Sequence, residues 1–68
     1  MVTIFGKDTC PYTRAAGDEY AQRGVDVEYV NVKASADAMA RMLRHTNGRR
    51  DVPVIVDGDE VSIGFGGT

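Results

Sequence analysis

The sequence holds little that could staple a 68-residue chain together. Its single cysteine, Cys10, excludes an internal disulfide, and no Cys/His cluster is spaced to hold zinc. No stretch approaches the ~18 consecutive apolar residues of a membrane span. The N-terminus lacks the basic-then-apolar pattern of a secretory signal. No repeat, low-complexity tract or interdomain linker interrupts the chain. Eight basic and ten acidic side chains give a formal charge of −2, which speaks against nucleic acid or an anionic membrane as the main partner. What is present is ordinary globular composition, 43% hydrophobic and 26% charged. At this length a core alone supplies only roughly 3–5 kcal/mol. The expectation is one domain over residues 1–68 in a reducing compartment, the cytoplasm.

The pattern alternates strands and helices. Met1 to Phe5 is β-prone and runs into turn residues, Gly6 to Thr9. Pro11 opens a helix that extends to Arg23, because its missing N–H would be unpaired there anyway. Ala16 and Tyr20 share a face of that helix, and Gly24 reads as its cap. Gly17 costs this helix about 1 kcal/mol relative to Ala, unless another backbone packs close to it. Valine-rich Asp26 to Asn31 reads as a strand. Ser35 caps a second helix, Ala36 to Thr46, with Met39, Met42 and Leu43 as its apolar stripe and Asn47-Gly48 as its stop. His45 reads as a favourable charge at the end of this helix. Val54 to Val56 and Glu60 to Ile63 form a hairpin around Asp57-Gly58. Asp57, Asp59 and Glu60 are therefore turn residues, not metal ligands. The order is strand, helix, strand, helix, strand, strand. The first crossover makes its two strands parallel and the hairpin makes the sheet mixed, an open α/β layer fold.

Chemistry concentrates at Cys10-Pro11-Tyr12-Thr13, where a strand ends and a helix begins. Free N–H groups and the helix dipole favour an anion there, and a thiolate is such an anion. Cysteines so placed have pKa values of roughly 3.5–7.5, against ~8.5 when free. Lys7 adds a positive charge on the same loop, and Thr13 offers a hydroxyl one turn along. A buried structural cysteine is the alternative. The polar neighbours Lys7, Asp8 and Thr9 predict an exposed loop instead. A C-x-x-C pair resolves a mixed disulfide internally. Here Thr13 fills the second position, so the resolving thiol must come from outside, and a small abundant thiol such as glutathione is the natural supplier.

Taken in order, Lys7-Asp8-Thr9-Cys10-Pro11-Tyr12-Thr13, Gly48-Arg49-Arg50-Asp51-Val52-Pro53 and Gly66-Gly67 span the whole chain, and the sequence resembles the glutaredoxins of the thioredoxin superfamily. The C-P-Y-T motif and the tail Ile63 to Thr68 look most like the small Uxx-star branch, in some members of which selenocysteine matches Cys10. The resemblance implies a thioredoxin-like, four-stranded mixed sheet in the order β-α-β-α-β-β, without the usual C-terminal helix. It implies a monothiol thiol-disulfide oxidoreductase with Cys10 as nucleophile, assisted by Thr13. It implies no tightly bound cofactor, with glutathione or a similar thiol as co-substrate and protein disulfides as partners. Pro53 would be a cis-proline facing Cys10, and Val52 would offer its backbone to glutathione like an added strand. Lys7 with Arg49 or Arg50 would bind the glycine carboxylate. Gly66 and Gly67 would receive the γ-glutamyl end, and Tyr12 would pack beside the ligand.

Two departures bear on that picture. Asp51 stands where the family usually has Thr, an acid unfavourable to an anionic tripeptide. No third helix follows Gly67, so the γ-glutamyl end loses a helix start. One sheet face would lose its second helix, leaving an apolar patch beside the first helix that either a second copy or the rest of a longer natural chain would cover. Two other functions fit a lone thiol on this fold. One is a [2Fe–2S] cluster held between two copies with glutathione as co-ligand, against which the stiff Pro11 speaks. The other is a non-catalytic binding module that uses the sheet edge.

Overall fold

The computed structural model describes residues 1–65, so the expectations for Gly66 and Gly67 lie outside the described residues. Strand β1 (Val2–Gly6) leads through a loop to helix α1 (Pro11–Gln22), and strand β2 (Val27–Asn31) follows. Helix α2 (Ala36–Thr46) then precedes the hairpin of strands β3 (Val54–Asp57) and β4 (Glu60–Ile63). The sheet order is β2-β1-β3-β4, parallel between β1 and β2 and antiparallel elsewhere. This is the open α/β layer fold that the order of elements predicts, in the thioredoxin-like arrangement that the resemblance implies.

Boundaries shift where pairing overrides local preference. The β1–β2 ladder runs from Val2 opposite Val27 to Gly6 opposite Asn31. Gly6, read from sequence as a turn residue, is therefore the last residue of the central strand. Asp57 is likewise drawn into β3 by its pairing with Glu60, which leaves Gly58 and Asp59 as the tight turn. Gly58 there has φ of +61°.

Alternation along β1 divides the core in two. Val2 and Ile4 join Ala16 of α1 and Ile55 on one face, with Tyr20, Val25 and Val27 packed around them. Phe5 points to the other face, with Val32, Met42 of α2 and Val54. Full burial of side chains such as Phe5, Met42 and Val54 is worth roughly 1.5–3 kcal/mol each, so these few positions carry much of the small core.

Both helices end as their sequences dictate. After α1, Gly24 takes φ of +74°, its N–H reaches the Ala21 carbonyl, and the Val25 N–H reaches the Tyr20 carbonyl. That pair of bonds brings Val25 onto Tyr20 and turns the chain toward β2. The Ser35 side chain accepts from the Ala38 N–H at 3.1 Å, and Asn47 closes α2 in the left-handed region.

The apolar patch expected beside α1 is absent among the described residues. Pairing of Val56 with Val61 and of Ile55 with Ser62 directs the apolar residues of β4 toward α2 and leaves Ser62 and Glu60 on the α1 side. Phe65, just past β4, packs onto the Val2, Ile4, Ala16 and Ile55 cluster, and Ile55 is only 4% exposed. The polar side of β4 and the Phe65 ring take its place.

Gly17 has no packing reason. A methyl group built on it would meet nothing within 4 Å among the described residues. Gly17→Ala is expected to raise stability by about 1 kcal/mol, because alanine loses less backbone entropy in a helix. A higher urea midpoint at unchanged slope checks this, and an unchanged or lower midpoint contradicts it.

Candidate active site

The β1–α1 loop places Cys10 at a helix start. Its N–H bonds to the Lys7 carbonyl at 3.1 Å, closing a turn over Asp8 and Thr9. Cys10 is the N-cap of α1, extended at φ −90° and ψ 114°. Pro11 follows as the first helical residue, where no N–H is needed. An N-cap side chain faces the N–H groups of the second and third helical residues, here Tyr12 and Thr13. The first turn carries no acidic residue to oppose a negative charge.

Together these groups draw the Cys10 thiol below its ordinary pKa. The Thr13 side chain acts most strongly, and desolvation opposes it. The N–H groups of Thr13 and Tyr12 and the charge of Lys7 add to the lowering. Thr13 Oγ1 is buried and has no hydrogen-bond partner among the described residues. Such a hydroxyl costs about 1–3 kcal/mol while unpaired. A thiolate one turn away gives it an acceptor.

Thr13 is held by Gly6. A methyl group on Gly6 would overlap the Cβ, Cγ2 and Oγ1 of Thr13, so the two residues are in direct contact. Gly6 is the positioning residue that sequence reasoning missed. A glycine ahead of a loop looks like any turn glycine, and only the ladder reveals it as the strand end beneath α1.

The expectation of an exposed Cys10 is corrected: the residue is 8% exposed. The cause is geometric. Thr13, 4% exposed, is pressed onto Gly6, and Cys10 lies three residues before it on the same helix face. The polar Asp8 and Thr9 occupy the outside of the turn while the cysteine turns inward.

The other predicted residues divide into groups. Lys7, Tyr12 and Thr13 stand with Cys10, Tyr12 being 41% exposed. Pro53 is buried and follows a cis peptide bond. It directly precedes Val54, which pairs with Phe5, so the Val52-Pro53 step lies at the end of the sheet where β1 leaves for Cys10. Val52 lies beyond the last β1–β3 pair. The Pro53 carbonyl accepts from the Gly64 N–H at 2.7 Å, which brings the exit of β4 to the same end. Arg49 and Arg50 are exposed on the α2–β3 link. Arg49 is not free: its Nε and Nη2 each lie 3.0 Å from Asp51 Oδ2. Its carbonyl accepts from Thr46 Oγ1 at 2.6 Å, which ties the link to the end of α2.

A second cluster was not anticipated. Asp8 Oδ1 accepts from the Tyr29 hydroxyl at 2.7 Å, and Oδ2 accepts from Asn31 Nδ2 at 3.3 Å. The alternating pattern of β2 hinted at it by placing Tyr29 and Asn31 on one face. Asp8, Tyr29, Thr13, Arg14, Gly17 and Asp18 line an open groove of about 460 Å³ between α1 and β2. Among the described residues, no three His, Cys, Asp or Glu side chains converge on a metal position. No described helix is long and apolar enough to cross a membrane.

Because the Cys10 pKa is lower in the folded chain than in the unfolded one, its ionisation stabilises the fold at high pH. That stability is present above the unfolded thiol pKa and is lost as pH falls through the folded value. The stability of the wild type relative to Cys10→Ser is therefore expected to rise with pH between those two points and then level off. Urea unfolding across that range measures it, and a difference that falls with pH contradicts the lowered thiol.

Comparison with known proteins follows this geometry. The sequence matches the family model Glutaredoxin over residues 2–61. No curated protein sequence gives a significant match. Among solved structures, the glutaredoxin-like protein NrdH-redoxin from Escherichia coli is 34% identical, with a TM-score of 0.79 over 94% of this chain and 82% of that one. A glutaredoxin from Brucella melitensis is 27% identical, with a TM-score of 0.71 over 93% of this chain and 67% of that one. A glutaredoxin from Archaeoglobus fulgidus shares the fold at 24% identity, with a TM-score of 0.84 over 96% of this chain and 75% of that one. A lone thiol at a helix N-cap, a cis-proline step at the same sheet end and a family match over most of the chain lead to one assignment: this chain belongs to the glutaredoxin family, whose chemistry is thiol-disulfide exchange.

Proposed function

We propose that the chain is a monothiol thiol-disulfide oxidoreductase that uses glutathione or a similar small thiol as co-substrate. The observation that carries this reading is the placement of the only cysteine, an N-cap thiol drawn toward ionisation by Thr13, in a chain with no second thiol to resolve it. The NrdH-redoxin structure is described in terms of a thioredoxin-like activity profile. A single-cysteine chain cannot close the internal disulfide of a dithiol exchange, which favours an external thiol.

The reaction has two displacements. The Cys10 thiolate attacks the glutathionyl sulfur of a protein–glutathione mixed disulfide. The new Cys10–glutathione disulfide forms as the old bond breaks, and the protein leaves as thiolate. A glutathione thiolate then attacks the glutathionyl sulfur on Cys10, yielding oxidised glutathione and restoring the Cys10 thiolate. Two electrons pass from glutathione to the protein disulfide. The N–H groups of Tyr12 and Thr13, the Thr13 hydroxyl and Lys7 stabilise Cys10 as nucleophile and again as leaving group. A lower leaving-group pKa speeds the second step.

Val52 and Pro53 line the same sheet end and suit the cysteinyl part of glutathione, with Val52 backbone groups available beyond the ladder. Lys7, Arg50 and Arg49 suit its glycine carboxylate, Tyr12 its flank, and Gly66 and Gly67 its γ-glutamyl end. The grip of Asp51 on Arg49 subtracts one cation from that set. An abundant small thiol belongs to a reducing compartment, and the cytoplasm is the setting that this chemistry fits.

Turnover of a glutathionylated peptide with glutathione tests the reading. Cys10→Ser is expected to abolish it, and surviving activity overturns the mechanism. An iron-dependent brown dimer or an inert thiol would point instead to cluster holding or to a passive binding domain. Asp51→Thr releases Arg49 and is expected to lower the KM for glutathione roughly two- to fivefold, the range that one exposed ion pair supports. An unchanged KM would remove Arg49 from the glutathione site.

A further inference from the structure

Asp8 poses an electrostatic problem. It stands two residues before Cys10 inside the same turn and carries the wrong sign to neighbour a thiolate. Lys7, in the same turn, lowers the Cys10 pKa. The geometry turns Asp8 away from the sulfur. Both carboxylate oxygens of Asp8 are directed to β2, one to the Tyr29 hydroxyl at 2.7 Å and the other to Asn31 Nδ2 at 3.3 Å. Asn31 is fixed in turn, its Oδ1 accepting from the Lys33 N–H at 2.8 Å. The chain of bonds runs from the end of the edge strand through Asn31 and Asp8 to Tyr29.

We propose that Tyr29, supported by Asn31, is a positioning residue for Cys10: by holding the Asp8 carboxylate on the β2 edge, it keeps a negative charge away from the sulfur and fixes the turn in which Lys7 is the acting charge. The inference rests on the reading of Cys10 as a nucleophile. Tyr29 is suited to the task. Lost hydration, the Asp8 hydrogen bond, the Asp8 charge and the Cys10 charge push its pKa up to about 12, so it remains a donor at neutral pH. The influence of Cys10 on Tyr29 also places the tether within the field of the sulfur. Asp8, Tyr29 and Thr13 line one groove together with Arg14 and Asp18. A released Asp8 side chain therefore has open space on the side of Thr13, the residue that bears most on the sulfur. The tether is exposed, Tyr29 at 45%, so its removal does not open the core.

A two-residue cycle tests this. The rate of alkylation by iodoacetamide against pH is measured for the wild type, Tyr29→Phe, Asp8→Asn and the double variant. Tyr29→Phe is expected to raise the titration midpoint by about half to one unit, slowing alkylation roughly three- to tenfold at a pH below both midpoints. Asp8→Asn alone is expected to leave the midpoint near the wild-type value. The double variant is expected to return there, because no charge is left to restrain. A midpoint unmoved by Tyr29→Phe overturns the proposal. So does a raised midpoint that persists in the double variant, which would mean that the turn had merely loosened. A wild-type midpoint in the ordinary thiol range would instead remove the reading of Cys10 as an activated nucleophile, while the cycle would still decide whether the tether acts.

Discussion

Contact between Gly6 and Thr13 is the constraint on which the site depends. A side chain on Gly6 would occupy the space of Thr13, so α1 can lie as it does only because the central strand ends in glycine. With Thr13 seated there, its hydroxyl is buried without a partner among the described residues, and the nearest use for it is the sulfur one turn earlier. The acidity of Cys10 thus begins in the packing of strand against helix. The dipole and N–H groups of the helix start add to it, and Lys7 contributes from outside.

The same packing sets the burial of the sulfur. An exposed thiolate is well hydrated and gains little from a helix end, whereas a fully sealed one stays protonated. Cys10, at 8% exposure, lies between these limits. Desolvation raises its pKa, and four groups outweigh that penalty. The surrounding elements guard the balance. Asp8 is turned outward to β2, and the first turn of α1 is free of acids.

Much of this was legible in the sequence because local chemistry and global packing agree. Pro11 after Cys10, Ser35 before Ala36, Gly24 after α1 and Asn47-Gly48 after α2 each mark a boundary by a backbone requirement that few residues meet. The stripe of Met39, Met42 and Leu43 reads directly as a core face. What stayed hidden depends on pairing. Gly6 belongs to β1 because Asn31 lies opposite it, and Asp8 is tethered because β2 brings Tyr29 and Asn31 alongside the loop. The expected apolar patch failed for the same reason, since the β3–β4 register decides which side Val61 and Ser62 face. The grip of Arg49 on Asp51 is local, two residues apart, and the unusual acid was its one visible sign.

The central claim is that Thr13 makes Cys10 an acid. Titration of the Cys10 13Cβ chemical shift in the wild type and in Thr13→Val reads the sulfur directly, with no substrate involved. The account predicts a wild-type midpoint below the ordinary thiol value of ~8.5 and a clear upward shift when the hydroxyl becomes a methyl group. Coincident midpoints in the two proteins, or a wild-type midpoint at or above the ordinary value, would contradict it.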